Sequence, residues 1–364
     1  MNRIAEIIAG EVRARETISF ARFMELALYC PVCGYYEKET DTIGKRGDFF
    51  TSVSVGNLFG ELLAFQFAEW LEQLQTTGRT CEIVEAGAHN GQLAKDVLSW
   101  MRAHRANVFH QLEYRIVEPS EFRQRQQKVS LAEFAGRVTW VEHLSDLVGS
   151  SQAAGVSGVI FSNELLDAMP VHRLAWDAAR KQWLEWGVSG DTDGFVWKQM
   201  QTAGMKGPEL PVELLAVLPD GFATEVSPAC REWWRQAAGV LRRGKLLAID
   251  YGLTAEEFFV PERSEGTLRA YHRHQLAREP LMNPGEQDLT AHVNFSAVQA
   301  AGEAAGLKTE GFMTQEQFLN RIAARISGAG EKSGERISLH ARQFQTLTHP
   351  EHLGSRFRVL IQSR

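Results

Sequence analysis

Residues 83–91 read IVEAGAHNG. A short apolar run breaks at two glycines, and behind it Leu93, Ala94, Val97, Leu98 and Met101 recur at the spacing of one helical face. The segment therefore reads as strand, small-residue turn and helix. Gly87 and Gly91 let the backbone approach a ligand at the strand's carboxyl end, beside a helix N-terminus, where doubly wound sheets bind their ligands. An ordinary tight connection is the competing reading of these few residues, so the rest of the chain has to decide.

Upstream, Leu58, Phe59, Leu62, Leu63, Phe67, Trp70 and Leu71 form an apolar stripe, which predicts an amphipathic helix over 57–71. Downstream the alternation continues. LEYRIVEPS reads as a strand ending at Glu118, 121–131 as a helix, and VTWVEHL and GVIFSNELLD as further strands. Such alternation implies an α/β fold: a doubly wound, mostly parallel sheet with helices on both faces. The pattern breaks from about Val171 to Phe222, where Trp176, Trp183, Trp186 and Trp197 sit in short strand-like pieces of an inserted antiparallel element. It resumes with a helix begun by Ser227 and Pro228 and ended by Gly244, followed by the buried strand KLLAIDYG. Residues 254–292 read as polar loop, 296–305 as helix, ISGAGEKSGER as flexible and FRVLIQ as a closing strand. The expected organisation is an N-terminal helical segment, 1–75, that contributes to the ligand site. An α/β domain follows over 76–364, its cap inserted at about 171–224 and 254–292.

Composition narrows the function classes. Across 364 residues the chain is 44% hydrophobic and 23% charged, as folded globular proteins are. A net charge of -6 offers no global attraction to nucleic-acid phosphates, so no nucleic-acid partner is expected. No apolar run reaches the roughly 18 residues of a membrane span, and MNRIAEIIAGEVRARETISF reads as a mature cytoplasmic N-terminus. Of Cys30, Cys33, Cys81 and Cys230, only the first two form a C-x-x-C pair, with nothing to complete a zinc site, and the pair reads first as ordinary thiols and second as a redox motif. His272, His274 and His292 lack the spacing of a metal site, so no metal is expected.

The polar residues at the strand ends point to a cofactor. Glu118, ending the second strand, is placed to accept hydrogen bonds from both hydroxyls of a ribose. A dinucleotide site would show G-x-G-x-x-G with an acid about 20 residues on, whereas Glu118 lies 27 positions beyond Gly91 and no pyrophosphate cradle is present. Glu85 adds a carboxylate near the turn that repels phosphate and suits a cofactor bearing an ammonium and a sulfonium. S-adenosylmethionine is the favoured cofactor. Residues 44–54, GKRGDFFTSVS, concentrate groups that hydrogen-bond an amino-acid moiety, though a capped loop reads equally well. Asn163, Glu164 and Asp167 stand at the fourth strand's carboxyl end, where a carboxylate can orient a cationic acceptor.

ALYCPVCGYY, GDFFTSVSVGNLFGELLAFQFAEW, IVEAGAHNGQLAKDVL, YRIVEPSEFRQRQQ, FSNELLDAMPVHR, AIDYG and GTLRAYHRHQLAREPLMNPGEQDLTAHVNF together resemble the MidA family over nearly the whole chain. The resemblance implies a seven-stranded methyltransferase fold and methyl transfer from S-adenosylmethionine, with an arginine of a protein as acceptor in the mitochondrial relatives. It also implies that Asp48, Thr51 and Ser52 meet the cofactor's amino-acid end, that Glu85, Gly87 and Gly91 form the turn beneath it, and that Glu118 takes the ribose. Asn163, Glu164 and Asp167 then line the reaction edge, with Glu164 first and Asp167 second to hold a guanidinium. Three positions depart from the family: His89 replaces a glycine of the turn, Val53 a proline and Cys30 a histidine. A small-molecule methyltransferase is the nearest alternative, a non-catalytic assembly factor the next, sustained by His89, and a nicotinamide oxidoreductase the last. The Trp-rich insertion reads first as core and second as an acceptor wall or a homodimer surface.

Overall fold

The computed structural model describes residues 2–38, 51–74, 81–148, 155–191, 194–200, 207–272, 275–277, 279–328 and 340–364. Their contacts gather them into two compact units. One comprises the described residues within Met1–Phe49, Asp167–Arg231 and Leu253–Ser296, the other those within Phe50–Leu166, Glu232–Gly252 and Ala297–Arg364.

In the second unit seven strands form one continuous path: β1 (Cys81–Ala86), β2 (Leu112–Val117), β3 (Val138–Val141), β4 (Val156–Asn163), β5 (Leu241–Leu253), β6 (Lys308–Thr314) and β7 (Phe357–Ser363). Their spatial order is β3-β2-β1-β4-β5-β7-β6. The first five are parallel, and β7 runs antiparallel to both β5 and β6. Helices α1 (Leu58–Leu74), α2 (Gln92–His104), α3 (Glu121–Ser130), α4 (Pro228–Val240), α5 (Phe295–Ala304), α6 (Gln315–Gly328) and α7 (Ala341–Thr348) connect and cover them. Strands buried on both faces need apolar residues at successive positions. Ile83, Val159, Phe161, Leu247 and Ile249 pack into one core with α1, α2 and α6, while their neighbours Val84, Ile160, Leu246 and Ala248 are equally buried. On α1, Leu58, Phe59, Leu62, Leu63, Phe67 and Leu71 are at most 2% exposed. Cutting any one of them to alanine costs about 2–5 kcal/mol.

This topology positions the site. β1 pairs with β2 on one side and with β4 on the other, so the chain leaves the carboxyl ends of these strands in opposite directions and opens a crevice there.

Several segments differ from their sequence reading. Gly244 ends no helix: α4 stops at Val240, and Gly244 lies inside β5 at φ 130°. A Cβ there would sit 1.8 Å from the carbonyl oxygen of Gly158 on β4, so the two strands meet at this register only because a glycine is present. The first three residues of ISGAGEKSGER complete α6, and the rest lies outside the described residues. Residues 254–292, read as loop, contain a three-stranded antiparallel sheet of Arg269–His272, Gln275–Ala277 and Asp288–Thr290.

The other unit is built on a five-stranded antiparallel sheet. Its central strand, Gln182–Gly190, pairs with His172–Asp177, Phe195–Gln199 and the two-residue strand Ile18–Ser19, and His172–Asp177 pairs in turn with Ala223–Val226. The N-terminal residues were grouped with α1 when read from sequence, whereas the helices Arg3–Arg15 and Phe20–Tyr29 bury Ile4, Ile8, Phe20 and Phe23 in this unit's core. Of the insertion's tryptophans Trp176 is core, and Trp183 and Trp197 are half-buried against it and its neighbouring cluster. Trp176 is buried 5.3 Å from Trp183, and Trp197 lies 4.9 Å from Phe20. Among the described residues no helix is long and apolar enough to cross a membrane.

Candidate active site

The turn after β1 is left-handed three times, at Gly87 (φ 75°), His89 (φ 47°) and Gly91 (φ 81°). Gly91 donates to the carbonyl of Ala88 at 2.7 Å and caps α2. A Cβ on Gly87 would lie 2.9 Å from Leu165 Cδ1, so positive φ and close packing both call for glycine there. Histidine tolerates this backbone region better than most residues. His89 adopts it with its ring turned to α3, Nε2 standing 3.3 Å from Arg123 Nη1. Loss of water around the ring, then the Arg123 charge, push the imidazole down to about 3, so it is neutral at physiological pH.

Beneath the turn, the buried Glu85 carboxylate accepts a hydrogen bond from Tyr114 Oη at 2.5 Å. Burial pushes this carboxyl up to about 7, against the lowering effect of the Tyr114 bond. Just past β2, Glu118 is 8% exposed. Its Oε1 accepts from the Ser120 amide at 3.1 Å and its Oε2 from Gln127 Nε2 at 2.9 Å.

Gln127 was not singled out from the sequence, because it sits in the polar run EFRQRQQKVS. Its side chain is wholly buried. Nε2 donates both to Glu118 and to the carbonyl of His89 at 2.9 Å, and Oε1 accepts from Trp140 Nε1 on β3 at 2.9 Å. One amide thus ties the glycine turn, the strand-end carboxylate and the neighbouring strand together. The available signal was its i,i+4 spacing from Arg123, the other buried residue of α3.

At the end of β4, Glu164 has φ 53°, and its amide donates to the carbonyl of Ile249 at 3.0 Å. Such a conformation persists where its surroundings enforce it, and Asp250 does so here. Fully buried within IDYG, Asp250 accepts through Oδ2 from the amides of Leu165 (3.1 Å) and Leu166 (2.8 Å). An acid inside the apolar stretch LLAIDYG was the sequence signal for it. Glu164 Oε1 accepts from the Ser52 amide at 3.2 Å and from Asn163 Nδ2 at 3.1 Å, and Ser52 Oγ donates to Gln315 Oε1 at 3.1 Å. Thr51 and Ser54 bond each other reciprocally in a tight turn. Asn163 Oδ1 is buried with no hydrogen-bond partner among the described residues.

Thr51, Ser52, Asn163 and Glu164 are therefore brought together, and Glu85, Gly87, Gly91 and Glu118 form a second group at the ends of β1 and β2. Asp167 belongs to the other compact unit, where its carbonyl accepts from the Ala291 amide at 2.9 Å. Asp48 and His274 lie outside the described residues.

A mostly parallel sheet with its switch point between β1 and β4, a glycine turn there and a carboxylate at the end of β2 form the kind of site that takes a nucleoside-bearing cofactor. Residues 62–313 match the family described as "Putative S-adenosyl-L-methionine-dependent methyltransferase". The chain is 32% identical to a Burkholderia thailandensis protein solved bound to S-adenosyl-homocysteine, with a TM-score of 0.83 over 99% of this chain and 92% of that one. It is 26% identical to the Drosophila melanogaster mitochondrial protein arginine methyltransferase NDUFAF7 homolog (98% of this chain, 84% of the relative). To the Mus musculus NDUFAF7 it is 27% identical, over 95% and 81%. The chain belongs to this MidA family of methyltransferases, and its cofactor is S-adenosylmethionine.

Proposed function

We propose that this methyltransferase transfers the methyl group to an arginine of a protein substrate, with the cofactor held by the two groups of residues at the sheet's carboxyl edge. The observation that carries the site assignment is Asn163 Oδ1, a buried acceptor without a partner among the described residues, beside a turn whose glycines, Gly87 and Gly91, are both left-handed. These features fit a ligand bearing an ammonium against a closely approaching backbone. The acceptor assignment is supported by the relatives, which are named protein arginine methyltransferases.

S-adenosylmethionine supplies an electrophilic methyl on a sulfonium, which is already a good leaving group, so the protein's task is alignment. Glu118, its carboxylate oriented by Ser120 and Gln127, takes the ribose hydroxyls. Gly87 and Gly91 open the turn, and Glu85 supports it from beneath. Asn163 Oδ1 receives the ammonium, and Thr51 and Ser52 meet the amino-acid end. Glu164, fixed by Ser52 and Asn163, turns the acceptor guanidinium by charge-assisted hydrogen bonds. The four cysteines are free thiols, which suits a cytoplasmic enzyme.

The test is transfer of radiolabelled methyl from S-adenosylmethionine to proteins of cells lacking this chain, followed by acid hydrolysis. Label in methylarginine is expected, and label confined to small molecules or other residues overturns the acceptor. Unchanged turnover in Glu164→Gln overturns the role of Glu164.

A further inference from the structure

Cys30, Pro31, Val32 and Cys33 form a β-turn closed by the Cys33 amide donating to the Cys30 carbonyl at 3.2 Å. Proline at its second position and φ 72° at its third make it type II, a turn that favours glycine where Val32 stands. A β-branched residue at positive φ is an outlier, and Val32 is 72% exposed, so no core packing selects it. The turn holds Cys30 Sγ and Cys33 Sγ 3.3 Å apart, both as free thiols. Cys30 is partly exposed and Cys33 is buried. Residues i and i+3 of such a turn have Cα atoms within about 7 Å, the range a disulfide spans.

We infer that Cys30 and Cys33 are a redox-active dithiol, a modification site that closes to an intramolecular disulfide by exchange with a low-molecular-weight disulfide. The accessible Cys30, as thiolate, attacks one sulfur of the external disulfide, forming a mixed disulfide and releasing one thiol. Cys33, losing its proton to solvent, then attacks Cys30 Sγ, forms the internal bond and releases the second thiol. Two protein thiols are oxidised and one external disulfide is reduced to two thiols. The inference stands independently of the methyl acceptor. Burial, then the hydrogen bond with Cys33, push the Cys30 thiol up to about 11 against the weaker pull of Arg3 and Arg22, so exchange is slow at neutrality and is followed at mildly alkaline pH.

The reduced full-length protein is incubated with oxidised glutathione, quenched in acid, unfolded, alkylated and mapped by peptide mass. Wild type is expected to lose two of its four alkylatable thiols, with Cys30 linked to Cys33, and to regain them on reduction. Cys33→Ser should stop at glutathione on Cys30, and Cys30→Ser should react little, because Cys33 is buried. Four persisting thiols, glutathione accumulating on wild-type Cys30 as it does in Cys33→Ser, or linkage to Cys81 or Cys230 each overturn the inference.

Discussion

Both compact units bury charged and amide side chains, and they use them in opposite ways. In the antiparallel unit the buried polar groups join neighbouring strands. His172 meets Glu185 across one pair at 2.6 Å, Arg173 meets Glu225 across another at 2.9 Å, and Glu225 also accepts from the amide and hydroxyl of Thr267. The two ion pairs are local staples between neighbouring strands, and Thr267 holds Glu225 from outside the sheet. In the parallel unit one set of polar groups gathers at one edge: Glu118, Gln127, Asn163, Glu164 and Asp250 stand near the carboxyl ends of strands or on the helix beside them, while Gln362 is a staple of the first kind. Similar interactions give a scaffold where they are spread along a ladder and a site where they converge on a switch point. Burial alone does not distinguish the two, but direction does.

The sharpest way to break this contrast is to remove one staple. Arg173→Met leaves the buried Glu225 charge without its cation, and losing one partner of a buried pair costs about 3–5 kcal/mol. Denaturant unfolding should register that loss while calorimetric affinity for S-adenosylmethionine stays at the wild-type value. Reduced affinity in the folded variant would show that the staples also shape the site.

Next in size is a pH effect confined to the parallel unit. Glu85 titrates at about 7 when folded against an ordinary 4.5, so the folded state binds a proton that the unfolded state has released between these values. Stability from Glu85 is therefore full below pH 4.5 and is lost as pH rises to 7, by about 3 kcal/mol at 1.36 kcal/mol per unit. Thermal unfolding of wild type and Glu85→Gln across this window gives the difference. The subtraction also removes His89, whose depressed titration acts in the opposite sense. A constant difference would refute the assignment.

Glu118→Ala removes the charged acceptor proposed for two ribose hydroxyls and should weaken S-adenosylmethionine binding about a hundredfold, with the fold kept. Gln127→Ala loosens the carboxylate without deleting it, so about tenfold is expected in affinity, with little change in kcat at saturating cofactor. Equal losses in the two variants would mean that Gln127 itself meets the cofactor.

The sequence made the parallel unit legible because its signals are short-range. Alternating apolar runs, the glycines at 87 and 91 and the acid at 118 all lie where a strand hands over to a helix. What escaped was long-range or disguised. Nothing local announces that Ile18 and Ser19 form an edge strand, since their partners are Val188 and Gly187. The sheet within 254–292 hides in polar sequence because its strands are only three or four residues long. Gln127 and Asp250 act through distant backbone and side-chain groups, and helical or strand periodicity carries no record of such partners.

The pairing of Ile18 with Val188 also bears on how the chain is made. About 170 residues separate the two, and at synthesis rates of about 5–20 residues per second the N-terminal helices leave the ribosome roughly 10–30 s before their sheet partner exists. Throughout that interval Ile4, Ile8, Phe20 and Phe23, each at most 1% exposed in the finished molecule, have no core to enter. The nascent chain therefore carries an apolar segment that the native state covers, and how long that segment waits for its partner strand is set by translation speed rather than by final stability.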